Sequence, residues 1–236
     1  MVIFGWSGFA GAGIVVGGTR VIYPAKEKEV TVQLVNRAGN PHLVQVWIDN
    51  GDPQVSAAET TSPFLATPPV TRVEPNKGQA LRLMFTGDHQ TVAQDKESVF
   101  WLNVLDVPPA PTGAAGENNL QFAVRTRIKV FYRPVGLAGD PRGAVAQLRW
   151  RLRTSGSSYV LECVNPTAYN VSFSSVGLGA EQDTRQDPMQ GGGMCPAKGT
   201  ESFSVSSAHS TTTDMVHYKW IDDYGAFIEG KASLSP

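Results

Sequence analysis

Four cations in this chain stand where they could bind an anion. Arg125, Arg127 and Lys129 alternate along the run from Phe122 to Val130, and Arg20 lies in Thr19-Arg20-Val21-Ile22-Tyr23-Pro24. A strand turns every second side chain to the same face, so the first three form one basic row. Such a row could take a polyanion, but the net charge of −1 does not call for one. A solvated strand face is the favoured reading for Arg125 and Arg127. Lys129 is different. It sits just before Arg133-Pro134, where a strand must end, and a linker follows, so it is expected in a cleft where two domains meet. An ammonium held there can receive a carboxylate, and Arg20 can join it, since a guanidinium suits bidentate carboxylate recognition.

Other chemistry is not supported. His42, His89, His209 and His217 are not spaced as metal ligands on one element. The glycines of residues 11–18 lack the third glycine of a dinucleotide loop and no helix follows them. No Gly-x-Ser-x-Gly elbow occurs. No catalytic residue, cofactor or metal is therefore expected. Asn170-Val171-Ser172 fits the glycosylation sequon and nothing more is built on it.

The elements that would position these cations read as strands. Residues 118–134 alternate almost without error: Leu120, Phe122, Val124, Ile128 and Val130 on one face, interrupted by Thr126, and Gln121, Arg125, Arg127 and Lys129 on the other. That predicts one strand about twice the usual length. Further strands are expected at 13–23, 29–36, 43–48, 79–85 and 98–107, separated by turn signals such as Asn50-Gly51-Asp52-Pro53 and Pro75-Asn76-Lys77-Gly78. Residues 135–143, rich in Gly and Pro, read as a linker. A second set of strands is expected at 144–151, 159–164, 169–176, 200–205, 215–220 and 226–232, with a polar, Gly-rich loop at 182–194. The fold class is therefore all-β: an antiparallel sandwich over 13–134 and a second, smaller one over 139–236.

Charged residues are only 17% of the 236, and no apolar run is long enough to span a bilayer. Nucleic acid and direct membrane insertion are not expected. The two cysteines, Cys163 and Cys195, are either free thiols or one disulfide; the disulfide is favoured and would close a loop worth about 3–4 kcal/mol in the chain-entropy account. Residues 1–12 are apolar and Gly-rich with no basic start, and read as a signal-peptide remnant or as added residues.

The run Val92-Ala93-Gln94-Asp95-Lys96-Glu97-Ser98-Val99-Phe100-Trp101-Leu102-Asn103-Val104-Leu105-Asp106-Val107-Pro108-Pro109 closely resembles the signature of PapD-like periplasmic pilus-assembly chaperones. The resemblance extends to Thr19-Arg20, to Ala66-Thr67-Pro68-Pro69-Val70-Thr71-Arg72-Val73-Glu74-Pro75, and to Ile128-Lys129-Val130-Phe131-Tyr132-Arg133-Pro134. In the second half it includes Asn165-Pro166-Thr167 and Ile221-Asp222-Asp223-Tyr224-Gly225. The family's order is kept from about residue 14 to 230.

This resemblance implies two immunoglobulin-like β-sandwich domains in an L-shaped, boomerang arrangement with an interdomain cleft, and a periplasmic, non-enzymatic protein. Family members bind, fold and cap pilin subunits by lending them a strand, then deliver them to an outer-membrane usher. By position the lending residues are Leu120, Phe122 and Val124. Arg20 and Lys129 match the pair that anchors the client's C-terminal carboxylate. Glu97, Arg133 and Asp223 match a charged trio that holds the two domains at their angle. The short Pro108–Asn119 connection resembles the short-loop branch of the family. The long apolar strand also offers the free protein an edge for self-association, which the sequence leaves open. The alternatives are a two-domain adhesin or pilus structural subunit, which would need a donor extension or a sugar site, and a hydrolase, which would need a nucleophile–base pair.

Overall fold

A computed structural model describes residues 13–110, 120–155, 158–178, 192–205 and 215–235. The chain divides into two compact units. The first takes the described residues of Met1–Tyr23, Glu27–Asp88 and Val99–Val130; the second takes Pro24–Lys26, His89–Ser98 and the described residues of Phe131–Pro236.

The first unit is a sandwich of two sheets. One holds β1 (Ile14–Val16), β3 (Val30–Asn36), β7 (Gly78–Phe85) and β5 (Phe64–Thr67) in the order β1-β3-β7-β5. The other holds β2 (Arg20–Pro24), β9 (Val124–Arg133), β8 (Ser98–Val107), β4 (His42–Asp49) and β6 (Val70–Val73) in the order β2-β9-β8-β4-β6. Alternate residues of both sheets point inward, and Leu34, Val44, Ile48, Leu81, Leu83, Leu102, Val104 and Val130 are completely buried between them. Phe64 packs edge-on against Tyr23, Phe85 and Phe100 at centroid distances of 5.0, 5.2 and 5.0 Å, the arrangement favoured by ring quadrupoles.

The stretch expected as a single first strand, 13–23, is two strands in different sheets. Gly17 and Gly18 make the switch possible: the Gly17 amide donates to the Gln33 carbonyl, and a Cβ on Gly17 would lie 2.9 Å from that oxygen. The start of β1 is fixed by Asp106, which accepts from the Ile14 amide at 2.9 Å and is held by His42 at 2.5 Å. His42 is thus a buried, bonded histidine. His89 is likewise bonded, to the Tyr132 hydroxyl at 2.5 Å. His209 lies outside the described residues, among which no cluster of three metal-binding side chains occurs.

The second unit pairs a three-stranded sheet, β10 (Arg149–Ser155), β11 (Ser158–Asn165) and β14 (Gly199–Val205), with a four-stranded one. The latter runs β13 (Gly193–Cys195), β12 (Val171–Leu178), β15 (Met215–Ile221), β16 (Phe227–Ser233). Its core centres on Trp150, which contacts the rings of Phe173, Phe203 and Tyr218. A disulfide joins Cys163 on β11 to Cys195 on β13, so it links the two sheets; both cysteines are fully buried. The strand expected at 144–151 begins instead as a helix, α1 (Pro141–Ala146). Asp140 caps it by accepting from the Arg142 and Gly143 amides, and Pro141 supplies a first-turn residue that needs no partner. The loop expected at 182–194 lies outside the described residues up to 191, and its end forms β13. Asn170, the sequon residue, is half-buried and already engaged: its side chain donates to Glu97 and accepts from the Ala197 amide.

Because the disulfide ties one sheet of the second unit to the other, the double variant Cys163→Ala/Cys195→Ala should unfold that unit at lower denaturant, with a loss of about 3–4 kcal/mol. A matching check is intact mass after alkylation without reductant. The parent protein should take up no alkyl group.

Candidate functional site

The long strand carries both candidate features of the first unit. The structure shortens it: β9 runs Val124–Arg133, and residues 120–123 precede it outside any strand. The alternation that predicts a strand from 118 continues through 120–124, but a ladder needs a neighbour as well as a pattern. Residues 111–119 lie outside the described residues. Gln121 ties the approach to β9 back to the end of β8, donating to the carbonyls of Pro108 at 2.8 Å and Pro109 at 3.3 Å.

One face of this segment is apolar except at Thr126, and its exposure changes abruptly. Leu120, Phe122 and Val124 are 80%, 68% and 58% exposed, whereas Ile128 and Val130 on the same face are 8% and 0% exposed. The domain's own core therefore covers only the end of the row. One neighbour of β9 within the sheet is also short. β2 has five residues against the ten of β9, so it can accompany at most half of it. The Ala25 amide donates to the Arg133 carbonyl just beyond both strands, and Arg20, at the start of β2, lies close enough to Lys129 to act on its charge. The half that β2 accompanies is the end of β9, from Lys129 onward.

The opposite face carries the basic row. Arg127 is not simply solvated. Its guanidinium donates to both oxygens of Asp49, at 2.5 and 3.2 Å, and the Asp49 side chain is almost completely buried. Asn103 donates to the same carboxylate at 2.7 Å. Burial works to raise the Asp49 carboxyl, but the hydrogen bonds from Arg127, Asn103 and the Gly51 amide outweigh it and hold the group below its ordinary value. Arg127 also lies over the Trp101 indole, 4.1 Å from its centroid, and Arg125 over that of Trp47 at 5.8 Å. Arg125 is exposed and donates to the Pro53 carbonyl.

Lys129 is partly buried, with its Nζ over Trp101 at 5.4 Å from the ring centroid. Burial, and next the charge of Arg20, push its ammonium down to about 8. Two cations in a poorly hydrated place form a point that favours an incoming anion, and a carboxylate there would restore the lost solvation. The structure brings Arg20 and Lys129 together. Of the supporting residues, Trp101 falls within the Val92–Pro109 signature run, whereas Asp49 and Trp47 carry no motif; Trp101 alternates with Asn103 on β8, and Trp47 with Asp49 on β4.

Glu97, Arg133 and Asp223 also meet, and all three belong to the second unit. Arg133 donates to Glu97 at 2.6 Å and bidentately to Asp223 at 2.8 and 3.0 Å. Burial raises the Glu97 carboxyl, opposed by Arg133 and the Asn170 amide. Although burial works against the charge of Arg133, the two carboxylates hold it firmly protonated. Asp223 lies in a turn fixed by Asp222, whose side chain accepts from the Tyr224 and Ala226 amides.

Comparison with known proteins places these residues in context. Residues 13–138 match the family described as pili and flagellar-assembly chaperone, PapD N-terminal domain, and residues 143–232 match pili assembly chaperone PapD, C-terminal domain. The probable fimbrial chaperone YadV of Escherichia coli (strain K12) is 43% identical over 226 residues, covering 94% of this chain and 90% of YadV. The chaperone protein FimB/FhaD of Bordetella pertussis is 40% identical over 229 residues, covering 96% and 90%. The crystal structure of the YadV chaperone superimposes with a TM-score of 0.77 at 41% identity, over 94% of this chain and all of that one. The SafB chaperone, solved in complex with the Salmonella enterica SafA pilin, superimposes with a TM-score of 0.75 at 25% identity, over 94% and 96%.

The electrostatics of Lys129 make a signed prediction. Its folded value, about 8, lies below the ordinary 10.5, so the fold disfavours the charged form. Between those two pH values the unfolded chain binds the proton and the folded chain does not, so stability rises with pH there. Lys129→Met should therefore melt higher than the parent at pH 7, with the gap closing as pH is raised from about 8 to 10. Equal melting at pH 7 would contradict the burial cost.

Proposed function

This chain belongs to the PapD-like family of pilus-assembly chaperones, and we propose that it works by lending Leu120, Phe122 and Val124 to an incomplete pilin subunit while Arg20 and Lys129 hold that subunit's C-terminal carboxylate. The observation that carries this reading is the divided apolar row. A free monomer gains nothing by lining up three large exposed apolar side chains on a face whose continuation is core. A pilin missing one strand has a groove for such a row and an unpaired edge for the backbone beside it. Burying each side chain contributes roughly 1.5–3 kcal/mol, and each main-chain bond along the added strand about 0.5–1.5 kcal/mol net. Ordering the flexible parts of both proteins offsets part of this.

The anchor gives the pairing a fixed origin. A one-residue slip would turn every apolar side chain to the wrong face. A carboxylate held at one point of β9 excludes that slip, provided the client's chain ends there. We further infer a role for Glu97, Arg133 and Asp223 in holding the structure that follows β9, a periplasmic location, in keeping with the Cys163–Cys195 disulfide, and delivery of the bound subunit to an outer-membrane usher. The last step needs no nucleotide if the subunit folds more tightly once a neighbour's strand replaces the chaperone's.

The reading is tested by co-expression with a pilin whose gene neighbours that of this chain. The pilin alone should be degraded or aggregate; with this chain it should be recovered in a soluble 1:1 complex. Phe122→Asp should abolish the complex yet leave melting unchanged, because Phe122 lies outside both ladder and core. Unfolding of that variant would mean that the row belongs to the protein's own core. Lys129→Ala should fold and fail to capture the pilin; normal capture by the folded variant would remove the anchor.

A further inference from the structure

The anchor lysine does not stand alone on its sheet face. Arg127, two residues earlier on β9, and Lys129 both lie over one indole, that of Trp101 on β8, at 4.1 and 5.4 Å from its centroid. Trp101 is the register partner of Asp49 on β4. Asp49 in turn holds Arg127 by two hydrogen bonds and is itself fixed by Asn103, whose side-chain amide also donates to the Trp101 carbonyl at 3.2 Å. Four side chains on three neighbouring strands thus form one connected support beside Lys129.

We infer that Trp101, backed by the Asp49–Arg127 pair, is the positioning residue of the carboxylate anchor. The inference rests on the anchor reading of Arg20 and Lys129. The physical argument has two parts. A lysine side chain has four rotatable bonds, and an ammonium free to roam fixes no register. An indole face attracts a cation within about 6 Å and thereby restricts where it settles. The second part concerns charge. Arg20, Arg127 and Lys129 would otherwise place three cations on adjacent positions of β2 and β9. Asp49 cancels the charge of Arg127, so that this cation does not compete with Arg20 and Lys129 for an incoming carboxylate. Trp101 is therefore shared between a cation already neutralised and the anchor lysine.

The test uses the full chain and its variants Trp101→Phe, Trp101→Leu and Lys129→Ala. The probe is a synthetic eight-residue peptide of alternating serine and valine, made with a free C-terminal carboxylate and again as the C-terminal amide. The ratio of the two affinities reads the anchor alone. The parent should prefer the carboxylate by at least about tenfold, the equivalent of one charge-assisted hydrogen bond. Trp101→Phe, which keeps an aromatic face, should retain most of that preference. Trp101→Leu, which keeps apolar cover without the ring, should lose it to below about threefold, as Lys129→Ala does completely. Retention of the preference in Trp101→Leu overturns the inference and leaves the anchor intact. No preference in the parent overturns the anchor reading itself. In that case a second measurement decides on Trp101. The Lys129 side chain is titrated by NMR in the free protein, and Trp101→Leu should move its midpoint from about 8 to below about 7.5 by removing the ring's attraction for the charged form. An unmoved midpoint overturns the inference whatever the peptides do.

Discussion

The period of two in a β-strand is the constraint on which this molecule depends. Along 120–130 it sorts apolar side chains to one face and cations to the other, and it does so without regard to what covers either face. The sandwich covers the apolar face only at Ile128 and Val130. It leaves the start of the row, Leu120, Phe122 and Val124, exposed. Everything proposed for the strand follows from that mismatch between a continuous pattern and an interrupted covering.

Under the proposed function the two faces divide the labour. The apolar face supplies affinity without strong specificity, since any groove of suitable width accepts Leu, Phe and Val. The cationic face supplies position. It does so through a graded series: Arg125 exposed at the outer end, Arg127 neutralised by Asp49, and Lys129 partly buried near Arg20. Keeping Lys129 charged in poorly hydrated surroundings costs the free protein stability, which an incoming carboxylate would restore. A site built on that cost discriminates between a chain end and a mid-chain amide more sharply than a fully hydrated lysine would.

The sequence made the broad plan legible and left the pairings hidden. β8 falls at 98–107 as its alternation requires, and the apolar and basic faces of β9 are readable residue by residue. The first strand was legible as apolar but not as divided, because the Gly17-Gly18 switch acts only against Gln33 on another strand. β5 and β6 are four residues each, separated by Pro68-Pro69, too short to display a period. Helix α1 hides in a segment whose glycines and prolines read as linker, although Asp140-Pro141 is a capping signal. The Asp49–Arg127 pair joins residues 78 apart, and no local pattern announces it. The role of Trp101 is hidden for the same reason: it is set by register between strands, not by composition.

The central claim is that the segment from Leu120 to Ala123, outside any strand in the free protein, becomes a paired strand on binding. Amide hydrogen exchange measures this directly. In the free protein the amides of residues 121–123 should exchange quickly, and in a purified 1:1 complex with a pilin they should become as protected as those of β8. A stable complex in which these amides still exchange at the free rate would contradict the account.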